Sequence, residues 1–135
     1  MDVGLKILIV GGVAAILLSL LVGLQIARTR RAGSSAADVH AWLVAHQTIL
    51  FQGFMLLGLA FALVFADLGS SLKTVAASLL VAGSASSAIA SISNAAQRVT
   101  DQFAQRSFGL QMNTVQAVLL LPGVVIVLVG VIRAL

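Results

Sequence analysis

The chain has 135 residues, of which 60% are apolar and 9% charged, and its mean hydropathy is +1.12. A water-soluble domain needs about a quarter of its residues charged, so this composition excludes one. The absence of cysteine excludes disulfide scaffolds, cysteine nucleophiles and Cys-ligated metal centres. The net charge is +4, but the basic residues are separated by long apolar runs, so we expect no nucleic-acid partner.

Four long stretches of the chain are apolar enough to cross a bilayer, which takes about 20 helical residues. The predicted spans are approximately residues 5–27, 41–66, 73–93 and 112–133. They lack the polar alternation of membrane strands, and in lipid a helix bonds all its own backbone groups. The short connections predict an all-α fold, an integral membrane antiparallel four-helix bundle surrounded by membrane lipid.

The basic residues predict how the bundle is oriented. The first and third connections carry five of the eight Lys and Arg residues, which favours placing both in the cytoplasm. The third connection, residues 93–113, is the longest and most polar, and we expect it to be partly helical at the membrane interface. The first span is longer than a signal-peptide core, and arginines follow it, so it is expected to remain as a helix.

Away from the ends of the spans, His46 is the only titratable side chain, because all four aspartates and every Lys and Arg lie at helix ends or in connections. The lack of a buried carboxylate or lysine argues against an ion-coupled pump or carrier. His46 lies about one helical turn beyond Trp42, a residue type that favours the interface. Neutral imidazole is a common metal and haem ligand. Catalysis would therefore depend on a bound cofactor or on His46 alone.

Other polar residues concentrate at the same predicted end of the bundle. His46 and Gln47 open the second span, Asn94 follows the third, and Asn113 and Gln116 open the fourth. In an antiparallel bundle these positions fall together, which predicts a pocket opening toward the arginine-rich connections.

Several of these patterns also have a purely structural interpretation. Ser84, Ser87, Ser91 and Asn94 share one face of the third span, which suits a pocket lining or close helix packing in lipid. Gln52 is either a contact between helices or a substrate contact. The arginines either orient the chain or pair with carboxylates of a cofactor.

The start of the second span resembles a known family. Trp42-Leu43-Val44-Ala45-His46, followed by Gln52, resembles the Trp-x-x-Ala-His stretch of the styrene oxide isomerases, which are small four-helix membrane enzymes. The segment HAWLVAHQTILFQGFMLLGLAFAL, the chain length and the polar third connection are similar to the short-form hydroxylaminobenzene mutases, over essentially the whole chain.

The resemblance implies an isomerase of the bacterial inner membrane, active in nitroaromatic degradation. Mutases of this kind convert hydroxylaminobenzene to 2-aminophenol by moving the hydroxyl group from nitrogen to the ortho carbon. The isomerases bind haem b through the histidine that His46 matches, use its iron as a Lewis acid, and form a trimer. By resemblance we therefore expect haem b, a small aromatic hydroxylamine substrate and a homo-oligomer.

The resemblance and the polar pattern together give a set of candidate site residues. The predicted catalytic residues are His46, also the metal ligand, Gln52 and Asn94, and Arg98 and Arg106 are predicted to bind the cofactor with it. The predicted substrate contacts are Phe51, Phe54, Met55, Ser87 and Ser91.

The match to the isomerases has gaps, and other functions remain open. Their amide six residues after the histidine is asparagine, whereas here it is Gln52, and their third-helix carboxylate and tyrosine have no counterpart. A haem electron carrier is one alternative, although His40 is poorly placed as a second axial ligand. A small transporter or channel subunit and a structural bundle are the others.

Overall fold

The computed structural model describes residues 2–99, 101 and 106–135. These residues form four helices, α1 (Val3–Arg31), α2 (Ala36–Phe65), α3 (Ser70–Ala96) and α4 (Phe108–Ala134), and contain no strand. All four helices are long and apolar enough to cross a membrane. The predicted all-α membrane bundle is confirmed.

Polar side chains define where the helices begin. Asp2, Ser35 and Ser107 cap α1, α2 and α4 by accepting backbone N–H bonds in the first turn. The last turn of α1 carries three arginines, which interact favourably with the C-terminal end of the helix dipole. The predicted interfacial helix in the third connection falls partly on residues 100 and 102–105, which lie outside the described residues.

The third helix is the centre of the arrangement. It packs against α1, α2 and α4, whereas α1 and α4 make no contact with each other in the described part of the chain. Its sequence explains this position, because alanine, serine and glycine make up most of its buried residues. Small side chains let helices approach closely in lipid. Most of the small residues on the buried surface of α3 therefore serve close helix packing, one of the two roles predicted for them.

Glycines set the closest crossings between antiparallel helices. A Cβ at Gly53 of α2 would lie 3.0 Å from the Gly12 carbonyl oxygen and 2.7 Å from Ile16 Cγ1 of α1. A Cβ at Gly83 of α3 would lie 2.7 Å from Leu120 Cγ of α4. At both crossings the missing side chain makes room for the neighbouring helix.

The buried core divides into two clusters. One lies toward the α2–α3 connection and contains the large residues Leu8, Leu56, Leu63, Leu80 and Val127. The other lies toward the arginine-rich connections and contains Val22, Ala45, Ile49, Ala88 and Ala95. Alanine accounts for three of these five residues, and it recurs in the first cluster at positions 60, 66, 76 and 77.

Candidate functional site

His46 lies between α1 and α2, where Ser19 holds its imidazole ring. Nδ1 of His46 is 2.8 Å from the backbone carbonyl oxygen of Ser19 and 2.9 Å from its Oγ. The Ser19 hydroxyl lies 2.9 Å from the His46 carbonyl oxygen, to which it donates. Ser19 is fully buried, so both contacts are protected from water.

These contacts determine which ring nitrogen carries hydrogen. A carbonyl oxygen only accepts, so the 2.8 Å contact requires a proton on Nδ1. Since the Ser19 hydroxyl proton is directed to the His46 carbonyl, its oxygen is also an acceptor toward Nδ1. In the neutral ring Nε2 then carries a lone pair, and it has no hydrogen-bond partner among the described residues. A backbone carbonyl holding one nitrogen while the other is available is the usual arrangement of a metal-ligating histidine.

The ring of His46 lies in a shallow groove on the α1–α2 surface, which we call the His46 groove. It is lined by Gly23, Ile26, Ala27, Arg30, Arg31, Leu43 and His46. Two arginines therefore stand at one end of a groove that is otherwise apolar. No group of three or more His, Cys, Asp or Glu side chains occurs in the part of the chain that the structure describes.

A separate cavity of about 720 Å³ lies between α2, α3 and α4, and we call it the polar cavity. Its α2 wall follows one helical face through Ala41, Ala45, Thr48 and Gln52. The other walls are formed by residues of α3, its C-terminal end and α4, chiefly Ser87, Ser91, Asn94, Arg98, Asn113 and Gln116. No aromatic side chain other than His40 is among the described lining residues, which are mostly small or polar.

The inner end of the polar cavity is closed by a hydrogen-bonded chain between α2 and α3. The Ser84 hydroxyl donates to Gln52 Oε1 over 2.9 Å, and Gln52 Nε2 lies 3.4 Å from Ser87 Oγ. Ser84 and Ser87 are both buried, whereas Gln52 is half-buried. The Gln52 amide therefore bridges the two helices, as predicted for a contact between helices. It also lines the cavity, as a substrate contact would.

An ion pair joins α2 and the end of α3 at the mouth of the cavity. Arg98 Nε lies 3.0 Å from Asp38 Oδ1, and both residues line the cavity. The side chain of Arg98 is 76% exposed, so the pair contributes little to stability. Arg98 follows the α3 C-cap with φ of 55°, a left-handed conformation that costs a non-glycine residue energy.

Asn94 connects the end of α3 to the start of α4. Its backbone carbonyl oxygen accepts from the backbone N–H of Val99, and its side-chain Oδ1 accepts from the Ser107 hydroxyl over 3.4 Å. Any Cβ at Gly109 would collide with the Asn94 side chain. Asn94 lines the cavity and is 7% exposed, so its amide both packs against α4 and forms part of the cavity wall.

The structure brings together only part of the predicted site. Five predicted residues line the polar cavity: Gln52, Ser87, Ser91, Asn94 and Arg98. Four predicted residues lie elsewhere, and His46 is in its own groove. Phe51 and Phe54 are 69% and 54% exposed on the outer surface, Met55 packs against the larger core cluster, and Arg106 is exposed.

The expected convergence of polar residues around His46 is therefore wrong within a single chain. Asn113 and Gln116 line the cavity with Asn94, but His46 does not, and Gln47 is exposed outside it. The reason is helical geometry, because positions 46 and 52 are separated by about 120° around the axis. The prediction placed the polar residues at the same end of the bundle without resolving the faces of the helices.

Ser19 was missed by the sequence-based prediction, as were Asp38 and Thr48 as cavity-lining residues. A serine in an apolar first span carries no sign of the histidine it will meet. The small-residue face formed by Ala41, Ala45 and Thr48 was detectable, because the spacings of four and three residues place all three beside Gln52.

The fold and site define a small helical membrane protein with a polar cavity and a separately held histidine. The chain belongs to the styrene oxide isomerase family, whose family model matches residues 5–135. Comparison with curated proteins and with solved structures gave no match. Family membership assigns the protein to the membrane isomerases, in agreement with the resemblance carried by Trp42, Ala45 and His46.

Proposed function

We propose that this family member converts hydroxylaminobenzene to 2-aminophenol with the help of haem b held by His46. The reaction is an isomerisation: the N–O bond breaks, a C–O bond forms at the ortho carbon, and the ortho proton is replaced by one on nitrogen. No oxidant or reductant is consumed. The broader assignment, an isomerase, rests on the family match.

The observation that carries the proposal is the arrangement of His46. Ser19 fixes the proton on Nδ1, which leaves the Nε2 lone pair without a hydrogen-bond partner among the described residues, on a histidine that lines the His46 groove. A haem iron needs only one such protein ligand, so the lack of a larger ligand cluster among the described residues is compatible with this chemistry. When bound, ferric haem supplies a Lewis acid that polarises the N–O bond.

The arginines of the His46 groove revise the predicted cofactor contacts. Arg30 and Arg31 share the groove with His46, whereas Arg98 pairs with Asp38 at the polar cavity and Arg106 is exposed. Guanidinium groups pair well with carboxylates such as those of haem. Arg30 and Arg31 are therefore better placed in this chain to hold the cofactor than Arg98 and Arg106.

The polar cavity supports a substrate with a polar nitrogen–oxygen group. Gln52, Ser87 and Ser91 offer hydrogen-bonding groups at its inner end, and its volume of about 720 Å³ exceeds that of a single-ring compound. These residues would bind and orient the hydroxylamino group. The enclosing helices would exclude the bulk water that otherwise adds to the activated ring.

Because His46 and the polar cavity lie on different faces of one chain, the proposal includes a homo-oligomer, a trimer by analogy with the isomerases. A neighbouring subunit would bring its cavity to the His46 groove. Co-expression of His46→Ala and Gln52→Leu chains tests this arrangement. Mixed assemblies should recover activity that neither variant has alone, whereas mixed assemblies as inactive as each variant would contradict shared sites.

The test of the reaction is product analysis with the purified protein in detergent. We expect hydroxylaminobenzene to give 2-aminophenol, with little of the para isomer that water addition produces. Styrene oxide is the comparison substrate because the family is described by it. Conversion of styrene oxide alone would place the chain with that activity instead. If a folded, haem-loaded sample converts neither compound, the carrier, transporter and structural interpretations are favoured.

Replacing Ser19 with alanine is expected to have a small effect. The backbone carbonyl oxygen of residue 19 remains and still accepts from Nδ1, so the ring keeps its orientation. We expect about 1 kcal/mol of lost stability from the missing hydroxyl bonds and turnover within about threefold of wild type. Turnover measured beside thermal unfolding checks this. A loss as complete as that of a His46 variant would show that the hydroxyl, and not the carbonyl, orients the ring.

We further propose that the protein lies in a bacterial inner membrane with the first and third connections in the cytoplasm. The excess of arginine in these connections supports this orientation. A single cysteine placed at Ser34 should be labelled by an impermeant maleimide only after the cells are opened.

A further inference from the structure

We propose that Ser84 is a positioning residue which makes the inner end of the polar cavity a hydrogen-bond donor site, selective for ligands that present an acceptor oxygen. The inference rests on the proposed function in taking this cavity as the substrate site. Ser84 itself is 4% exposed and is not among the cavity-lining residues. Any effect it has on a ligand must therefore pass through Gln52, its hydrogen-bond partner.

Ser84 differs from two neighbouring serines on α3 in where its hydroxyl proton goes. Ser86 donates to the Ala82 carbonyl and Ser91 to the Ser87 carbonyl, both within their own helix. The Ser84 hydroxyl instead donates across the helix interface to Gln52 Oε1 over 2.9 Å. This is the one hydrogen bond the structure gives it among the described residues.

That single bond decides which end of the Gln52 amide faces Ser84. If the amide were reversed, its NH₂ group would donate to Ser84 Oγ, and the Ser84 proton would have to turn to a carbonyl oxygen of its own helix, as the protons of Ser86 and Ser91 do. In the observed orientation Ser84 donates across the helix interface, so Gln52 Oε1 points to Ser84 and Nε2 points to Ser87.

The orientation of the Gln52 amide determines which hydrogen-bonding groups face the cavity. Gln52 Nε2 lies 3.4 Å from Ser87 Oγ and uses one of its two N–H groups there. Ser87 Oγ is the acceptor of that bond, so its own proton is available to the cavity that it lines. The remaining N–H of Gln52 is available at the same place. Both groups are donors, and they match a ligand oxygen with lone pairs.

A matched pair of ligands separates this inference from the proposed function. Acetophenone and α-methylstyrene have nearly the same shape, but only the first carries an acceptor oxygen. Binding of each is measured by titration calorimetry with the purified full-length protein in detergent, and titration into empty micelles corrects for partitioning. Wild type should prefer acetophenone by about three- to tenfold, the range expected for one net hydrogen bond.

Variants on α3 then test the role of Ser84. Ser84→Ala should reduce the preference to less than about twofold, and Ser84→Thr, which keeps the hydroxyl, should restore it. Ser86→Ala is the matched control, since its hydroxyl bonds only within α3, and it should keep the wild-type preference. For turnover of hydroxylaminobenzene, Ser84→Ala should raise KM more than it lowers kcat.

Three results would overturn the inference: equal binding of both ligands by wild type, an unchanged preference in Ser84→Ala, or an equal loss in Ser86→Ala. The wild-type measurement keeps the test decisive even if Ser84→Ala does not fold. A preference that follows Ser84 in a protein that leaves hydroxylaminobenzene unchanged would refute the proposed reaction and leave the donor site standing. Turnover of hydroxylaminobenzene without a preference for acetophenone would support the proposed reaction and refute the donor site.

Discussion

Replacement of His46 with alanine is expected to reduce formation of 2-aminophenol to the rate without enzyme. Among the described residues, His46 lines its groove with Nδ1 bonded to Ser19, and the chain has no cysteine or tyrosine that could replace it as a ligand. Removing the ligand removes the Lewis acid on which the proposed chemistry depends. The measurement is the initial rate of 2-aminophenol formation by protein matched for amount and folding.

Two further variants separate loss of the ligand from loss of the fold. His46→Gly leaves space in which added imidazole can bind iron, and we expect imidazole to restore part of the activity. Gln47→Ala is the matched control, because Gln47 is the exposed neighbour of His46 and lies outside both the groove and the cavity. Full activity in His46→Ala, or no effect of imidazole alongside an equally inactive Gln47→Ala, would contradict the role assigned to His46.

Replacement of Gly53 with valine is expected to lower the free energy of unfolding by about 3 kcal/mol or more. A Cβ at this position would lie 3.0 Å from the Gly12 carbonyl oxygen and 3.2 Å from the Ile16 backbone nitrogen. Backbone atoms cannot move aside as a side chain can, so α1 and α2 would have to separate. Separation of the helices would also disturb the contacts of Ser19 with His46, which lie about two helical turns further along the same α1–α2 interface.

Thermal unfolding in detergent, followed by helical circular dichroism, measures this loss. Gly58→Ala is the control on the same helix, because Gly58 is exposed and a Cβ there would meet nothing within 4 Å. It should be neutral or stabilising by up to about 1 kcal/mol, since alanine favours the helix. Equal unfolding temperatures for Gly53→Val and wild type would show that this crossing is not as close as described.

The helices could be predicted from sequence because the bilayer imposes length and composition on them. Leu-rich and Val-rich runs indicate α1, α2 and α4 directly, and α3 was recognisable despite its Ala and Ser content because it is uncharged between Lys73 and Arg98. That content also explains why α3 is central, since small side chains permit close contact on several faces.

The site was harder to predict, because it depends on how the helices are rotated about their own axes. The cavity residues Gln52, Ser87 and Asn94 were identified by polarity and spacing together with the family resemblance. The placement of His46 on another face, however, follows from the packing of α1 against α2, which Gly12 and Gly53 control. The pairing of Ser19 with His46, separated by 27 residues, is a tertiary contact that no local pattern indicates.

Family membership and the geometry of His46 meet in one claim, that the imidazole ligates haem iron in a membrane isomerase. The most direct test is the optical absorption spectrum of the protein purified from cells supplied with haem precursor. We expect a Soret band that co-purifies with the wild-type chain and is missing from His46→Ala. A wild-type preparation that converts hydroxylaminobenzene at full rate without a Soret band would contradict the claim.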